Sequence, residues 1–250
     1  MINKLDYAHF SSKELNLPNL VFIHGAGGDK TQWEMQKKFF QKHGWGIIVL
    51  SLPSHGSSTP SESLSMDTYV EAIHKVIVNQ ELENVILIGH SMGGAIALQF
   101  VLQYPKSIID RLILIGTGAK LKVAPAFFDA IDTDFDRFLE LLARVAYHKN
   151  TPAEIKQKNE EAQRRNGGMI FLQDFKICDL FDIRSELHKI THQTLIIVGQ
   201  DDQMTPVRYS TFLHENIKDS KLVIIPDAGH HVFQEKALAV NKQIYKFVSK

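Results

Sequence analysis

The sequence is poor in cysteine: Cys178 is its single one, so no disulfide can form within the chain. This cysteine usage is typical of proteins in a reducing compartment. Neither sign of charge is in excess, because 28 lysines and arginines balance 28 aspartates and glutamates. A neutral balance gives no electrostatic reason to expect a nucleic acid or an anionic membrane as a partner.

Long apolar runs are absent as well. No segment has the ~18 uninterrupted apolar residues of a membrane-spanning helix, and residues 1–15 lack the apolar core of a signal peptide. We therefore expect a cytoplasmic protein without stable membrane insertion. The 250 residues are 44% hydrophobic and 22% charged, which is the composition of an ordinary globular protein. This length suits one α/β domain, alone or with an insertion.

Short apolar runs rich in valine, isoleucine and leucine predict buried parallel strands, because such strands are covered on both faces. They lie at residues 20–24, 46–50, 84–88, 111–115, 194–198 and 221–225. Segments with helical spacing alternate with them, at residues 30–43, 66–79, 95–104 and 235–248. This alternation predicts an α/β fold with a mostly parallel, doubly wound sheet. Residues 5–10 alternate weakly and are a candidate antiparallel edge strand.

Residues 120–189 interrupt this order, since they contain helical patterns and no clear strand. Residues 134–148 have an apolar face, Thr151 is a candidate N-cap for the next helix, and residues 169–182 begin another. A strand-free insertion of this length is uncommon except as a functional element. We predict a helical lid at 120–189 inserted into a core of 1–119 and 190–250. The alternative is a pair of ordinary crossovers around an unrecognised strand.

A Gly-x-Ser-x-Gly motif lies directly between a predicted strand and a predicted helix. Its sequence is Gly89-His90-Ser91-Met92-Gly93. This is the context of a nucleophile elbow, in which the serine projects from a turn too tight for larger residues at either glycine. The following helix directs its positive end towards the serine. The motif alone occurs by chance, but its flanking elements make Ser91 the candidate nucleophile.

A serine hydroxyl is a weak nucleophile and needs a base that is oriented by a third group. Proteins with such an elbow place an acid and then a histidine at later strand ends. Asp201 and Asp202 follow the strand at 194–198, and His230 and His231 follow the strand at 221–225. We favour Asp202 and His230 as the partners of Ser91. Asp201 stays open as an alternative acid until the structure is known.

A glycine-rich segment, His24-Gly25-Ala26-Gly27-Gly28, follows the strand at 20–24. One N–H of an oxyanion hole comes from a loop of this kind, and the other from the residue after the nucleophile. Ala26 and Met92 are therefore the candidate donors. The segment is not a phosphate-binding P-loop, because a motif ending at Lys30-Thr31 needs glycine at positions 24 and 29.

Other histidines lie near these motifs. His24 and His90 flank the candidate site and are expected to shape loops through hydrogen bonds. His55 follows the strand at 46–50 and is more readily structural than catalytic. No H-x-x-E-H or similar spacing supports a metal site that includes His230 and His231. We expect neither a metal nor a cofactor.

Together these motifs resemble the α/β-hydrolase superfamily over nearly the whole chain, and within it the small capped carboxylesterases of the pimeloyl-ester esterase type. The resemblance is specific at the Ser91 elbow, at residues 199–206 and at Gly229-His230. It implies an α/β-hydrolase fold with the helical lid after the sixth strand. Dehalogenases and epoxide hydrolases of this fold carry aspartate where this chain has Ser91. One loop departs from the common Asp-x-Pro-Gly-His-Gly pattern, because residues 51–56 read Ser-Leu-Pro-Ser-His-Gly.

The resemblance implies a serine carboxylesterase that hydrolyses small or medium-chain esters through an acyl-enzyme on Ser91. Its partner would be a small-molecule ester. Candidate substrate-binding residues are Gly25 and His231 near the motifs, and Phe135 and Leu139 on the lid. A C–C bond hydrolase, a thioesterase and an aminopeptidase share this triad and remain alternatives, as does a non-catalytic ligand-binding member. The sequence indicates neither the physiological ester nor the oligomeric state.

Overall fold

The computed structural model describes residues 4–12, 17–104 and 108–249. Within them, seven strands form one sheet in the order β1-β3-β2-β4-β5-β6-β7. The strands are β1 (Tyr7–Phe10), β2 (Asn19–Ile23), β3 (Gly46–Leu50), β4 (Val85–His90), β5 (Ile109–Ile115), β6 (Gln193–Gly199) and β7 (Ser220–Ile225). β1 pairs antiparallel with β3, and every other pair is parallel. The predicted mostly parallel sheet and its antiparallel edge strand are confirmed.

Helices cover both faces of the sheet. They are α1 (Glu34–Lys42), α2 (Met66–Asn79), α3 (Met92–Gln103), α8 (Val207–Asn216), α9 (Val232–Glu235) and α10 (Ala237–Val248). Alternate residues of each strand enter opposite layers: Val21 packs with residues of α2 and α3, whereas Phe22 packs with residues of α1 and α10. This two-sided burial explains why the strands are apolar almost throughout.

Four helices lie between β5 and β6, and we call this segment the insertion (residues 120–189). They are α4 (Pro125–Thr133), α5 (Phe135–Ala146), α6 (Ala153–Asn166) and α7 (Gly168–Leu180). An isolated bridge between Lys120 and Asp182 is the only extended pairing in the described part of this segment. The alternative of two ordinary crossovers around a strand is therefore wrong. The insertion has an apolar cluster of its own, to which Phe138, Leu142 and Phe175 belong.

Two details differ from the sequence-based expectations. The insertion follows β5, the fifth described strand, and not a sixth one, because a single strand precedes β2 in the described residues. Thr151 does not cap α6: its hydroxyl donates instead to Oε2 of Glu235 at 2.6 Å, and Pro152 occupies the N-cap position. No helix in the described ranges is long and apolar enough to span a membrane.

Candidate active site

Ser91 occupies the turn between β4 and α3 with a φ of 51° and a ψ of −117°. A positive φ is unfavourable for a residue with a side chain, and strain of this kind concentrates at functional sites. The flanking glycines are required by packing: a Cβ on Gly89 would lie 2.2 Å from the carbonyl oxygen of Gly93, and one on Gly93 would lie 2.3 Å from that of Ile23. The turn therefore presents the half-buried Ser91 side chain at its apex.

His230 and Asp202 form a buried pair beside this turn. Nδ1 of His230 lies 2.9 Å from Oδ2 of Asp202. The same oxygen accepts the Thr205 hydroxyl at 2.8 Å, and Oδ1 accepts the N–H groups of Met204 at 2.9 Å and Thr205 at 2.8 Å. These donors fix the carboxylate so that it can orient the imidazole. The side chain of Asp201, by contrast, is exposed.

A cavity of about 30 Å³ brings Ser91 and His230 to one surface. No direct hydrogen bond joins the Ser91 hydroxyl to His230 among the described residues. Hydrogen bonds of this kind are often long before a substrate binds and shorten in the complex. The sequence-predicted nucleophile, base and acid thus lie together in space.

The two candidate oxyanion donors lie on either side of the nucleophile. Ala26 lines the cavity with Ser91, and Met92 begins α3. In the described ranges, neither of their N–H groups donates to a protein acceptor. Glycine at position 25 allows the loop to lie close to Ser91, because a Cβ there would be 3.2 Å from the Cβ of Ser91. Two unpaired donors beside a serine, one at the positive end of a helix, are suited to receive negative charge.

Three buried histidines surround the site in their neutral form. Burial, and then the neighbouring His55, lowers the pKa of His24 to about 4. Burial, and then His230, lowers the pKa of His90 and of His231 well below the usual value. His24 Nδ1 donates to the carbonyl oxygen of Gly25 at 2.8 Å, and His90 Nε2 donates to that of His230 at 3.0 Å. Both shape loops, as expected from the sequence.

Two of the four predicted substrate-binding residues line the cavity, namely Gly25 and His231. The ring of His231 also stacks on Tyr147 at a centroid distance of 4.8 Å. Phe135 and Leu139 line neither this cavity nor its neighbour. They face the apolar interior of the insertion instead, and Phe135 stacks on Phe138 at 5.7 Å.

The part of the cavity wall that the insertion supplies is formed by other side chains. Leu142, Ala146, Phe171 and Phe175 line the cavity, together with the polar Gln32 and Gln163. Leu142 and Ala146 belong to the last turns of α5, and the carbonyl oxygen of Ala146 accepts the His230 N–H at 2.9 Å. The end of α5 therefore lies against His230, one turn beyond the position expected from the sequence.

A second cavity of about 40 Å³ is also lined by Ser91. Its lining includes Ala26, Leu121, Cys178, Thr205 and Tyr209. Ser91, Ala26, Phe175 and Met204 are shared by both cavities. The side chain of Ser91 thus borders two small chambers. No group of three or more potential metal ligands occurs in the described part of the chain.

Residues 18–237 match the family model described as the alpha/beta hydrolase fold. An AB hydrolase superfamily protein, YisY of Bacillus subtilis, is 30% identical over 249 residues that cover 91% of this chain and 90% of that protein. A putative esterase/lipase of Mycoplasma genitalium is 26% identical over 250 residues, which cover 91% of this chain and 88% of that one.

The structure is also similar to that of an esterase from Exiguobacterium antarcticum. The TM-score is 0.92 at 24% identity, and the match covers 98% of this chain and 96% of that one. At this identity the likeness shows the fold alone. The family model, however, matches residues 18–237, a span that contains Ser91, Asp202 and His230. The chain belongs to the α/β-hydrolase fold family.

Proposed function

We propose that this protein is a serine carboxylesterase in which Ser91 is the nucleophile, His230 the base and Asp202 the acid that orients it. The observation that carries the proposal is the buried His230–Asp202 pair, with its 2.9 Å hydrogen bond, next to a strained serine. Several relatives are also named as putative esterases or lipases. The proposed reaction is the hydrolysis of an ester, and no cofactor takes part in it.

The reaction begins when the Ser91 oxygen attacks the ester carbonyl carbon and His230 Nε2 takes the hydroxyl proton. The N–H groups of Ala26 and Met92 stabilise the resulting oxyanion. The C–O bond then breaks, the alcohol leaves with the proton from His230, and an acyl-enzyme remains. Water attacks this ester, again with His230 as base, and the carboxylic acid and free Ser91 are released.

The size of the two cavities favours short acyl groups. Volumes of about 30 and 40 Å³ hold only a few small atoms each. Phe171, Phe175 and Leu142 close the first chamber and are themselves buried. Of the small and medium chains expected from the sequence, we therefore favour the small ones, such as acetyl. The insertion (residues 120–189) serves in this proposal as the lid of a core formed by 1–119 and 190–250.

The test is hydrolysis of p-nitrophenyl acetate, butyrate and octanoate by the wild type and by Ser91→Ala. Ser63→Ala, which changes an exposed serine outside the site, is the matched control. We expect fast hydrolysis of the acetate by the wild type and the control, and none above background by Ser91→Ala. A wild type no faster than Ser91→Ala on every ester would contradict the proposal.

A further inference from the structure

Side chains of the insertion hold the loop that carries the candidate oxyanion donor Ala26. We call residues 25–28 the oxyanion loop. Oδ2 of Asp174, on α7, accepts the Gly27 N–H at 2.8 Å. Nδ2 of Asn166, at the end of α6, donates to the carbonyl oxygens of Gly27 at 3.0 Å and Gly28 at 2.8 Å. Two helices of the insertion thus bind successive peptide groups of this loop.

Packing reinforces these hydrogen bonds at one position. Gly27 has a φ of +64°, and a Cβ placed on it would lie 2.0 Å from the ring of Phe171. Phe171 lies three residues before Asp174, so both side chains lie on one face of α7. The loop after Ala26 is therefore clamped between a ring and a carboxylate from the same helix.

Asp174 is itself fixed by two residues of the core. Nε2 of His55 lies 2.9 Å from Oδ2, and the Tyr69 hydroxyl donates to Oδ1 at 2.5 Å. The side chains of His55 and Asp174 are both fully buried. Asp174 is thus the point at which α7, the oxyanion loop and the loop after β3 meet.

The geometry defines the charge on His55. Its Nδ1 lies 2.9 Å from the carbonyl oxygen of Pro53, and its Nε2 faces the carboxylate of Asp174. Both partners are acceptors, so both ring nitrogens must carry a proton. Burial alone would lower the pKa of His55, but the charge and the hydrogen bond of Asp174 outweigh it, and the pKa is raised. The pair is an imidazolium and a carboxylate.

The groups that face His55 fit this assignment. His24 lies at a ring-centroid distance of 4.9 Å and is neutral, because its Nε2 accepts the Leu52 N–H at 2.9 Å. The Tyr69 ring lies edge-on at 6.0 Å, and burial and then Asp174 raise the pKa of its hydroxyl. Asp29, the remaining nearby charge, pairs with Arg165 at 2.9 Å. Among the described residues, His55 is the one cationic side chain that pairs with Asp174.

We propose that Asp174, charged and paired with His55, is a positioning residue that sets the oxyanion loop at the distance from Ser91 that catalysis requires. This inference rests on the proposed function, since it concerns the donor at Ala26. A buried ion pair is an inefficient way to gain stability, because desolvation offsets most of the attraction. A charge-assisted hydrogen bond does, however, fix geometry more tightly than a neutral one. Because Asp174 accepts the Gly27 N–H, its charge fixes the position of the oxyanion loop.

The same pair makes the loop sensitive to alkaline pH. Because the folded-state pKa of His55 is raised, its proton is kept below that pKa and lost as the pH rises through it. A neutral His55 would leave one ring nitrogen facing an acceptor without a proton. The hold of Asp174 on the loop then weakens, and kcat falls.

The experiment compares steady-state kinetics of p-nitrophenyl acetate hydrolysis with hydrogen exchange of the Gly27 amide measured by NMR. The variants are Asp174→Ala, Asp174→Asn and Asn166→Ala. Asp136→Ala is the control, since this aspartate of the insertion pairs with Arg164 at the surface. A misplacement of about 1 Å, caused by a substitution away from the reacting groups, can cost about 100-fold in rate. We expect Asp174→Ala to lower kcat by about 10- to 100-fold with KM within about threefold.

The conservative variant separates positioning from folding. Asp174→Asn keeps an oxygen that can accept from Gly27, so it should recover part of kcat. The variant also removes the negative charge beside His55. The pKa of His55 measured by NMR should therefore be lower, and the fall in kcat with rising pH should begin at a lower pH. Asp174→Ala removes the acceptor of the Gly27 N–H, and Asn166→Ala removes the donor to the carbonyl oxygens of Gly27 and Gly28. The Gly27 amide should therefore exchange at least about tenfold faster in both variants. The control should match the wild type in all measurements.

Distinct results would overturn the two proposals. If folded Asp174→Asn and Asn166→Ala keep the wild-type kcat, alkaline profile and Gly27 protection, the positioning role is wrong, while loss of activity in Ser91→Ala still supports the esterase. If the wild type hydrolyses no ester, the proposed function fails, and Gly27 exchange and the His55 titration still decide whether Asp174 holds the loop. Should Asp174→Ala not fold, the other two variants decide.

Discussion

The main-chain N–H of His230 donates to the carbonyl oxygen of Ala146 at 2.9 Å. This bond joins the loop of the candidate base to the last turn of α5. Glu235 strengthens the connection, because its carboxylate accepts the N–H groups of Gly229 at 3.2 Å and His148 at 3.0 Å. The insertion therefore meets the core beside His230 as well as at the oxyanion loop.

The acid of the candidate triad is tested by a pair of neighbouring substitutions. Asp202→Asn should lower kcat by about 10⁴-fold, because the amide no longer stabilises the imidazolium or its correct tautomer. Asp201→Asn should leave kcat within about twofold, since that side chain is exposed. Kinetics on p-nitrophenyl acetate check both. An equal loss in the two variants would show that the acid has been assigned incorrectly.

Acyl-chain preference is expected to follow Leu142, not Leu139. Both leucines are buried on α5, but only Leu142 lines the cavity. Leu142→Ala should enlarge the chamber and raise kcat/KM for the butyrate relative to the acetate. Leu139→Ala should cost a similar free energy of unfolding, about 2–5 kcal/mol, without changing the preference. An ester series of increasing acyl length and urea denaturation measure both effects in both variants. A shift of the preference in Leu139→Ala alone would contradict the prediction.

Backbone strain at Ser91 predicts a difference between two inactive variants. Ser91→Ala keeps a side chain at a φ of 51°, whereas Ser91→Gly removes it. Relief of strain of about 1–3 kcal/mol outweighs the entropic cost of glycine, which is about 0.5–1 kcal/mol. The glycine variant should therefore be the more stable in urea denaturation. A less stable glycine variant would mean that the turn is not strained.

Acid should destabilise the protein through His24. Its folded pKa of about 4 lies below the usual 6.5. Below pH 6.5 the unfolded chain binds a proton that folded His24 does not, so stability falls by about 1.4 kcal/mol per pH unit from this residue. His24→Asn keeps a donor for Gly25 and does not titrate.

Urea denaturation at pH 7, 6 and 5 measures the slope of stability against pH. The slope should be shallower in His24→Asn by about one proton. An unchanged slope would show that His24 is protonated in the folded protein. The buried His90 and His231 contribute with the same sign in both proteins, so they do not affect the comparison.

The fold was predictable because its signals are local. Apolar runs matched β3 at both ends, and the helical pattern at residues 66–79 matched α2. The placement of Ser91, Asp202 and His230 followed from motifs at strand ends, where parallel strands bring them to one edge. α8 (Val207–Asn216) was not predicted, since its apolar residues are few and its burial depends on contacts with distant strands.

The lining of the cavity was not predictable from the pattern on α5. An apolar stripe shows that Leu139 and Phe138 are buried, but not whether they face the cavity or the interior of the insertion. One available signal was missed. On α7, Asp174 is a lone carboxylate among Phe171, Phe175 and Cys178 at helical spacing, and a buried charge in such a stripe usually has a specific partner.

The oxyanion loop receives Asp174 and Asn166 from the insertion, and this constrains how specificity can be changed. An insertion grafted from a relative alters the walls of the chamber, but it also replaces the carboxylate bound to Gly27 and the amide bound to Gly28. A chimera that lacks them would recognise a new acyl group and turn it over slowly. Under the proposed function, substrate range and rate therefore change together, and a successful exchange has to keep both contacts.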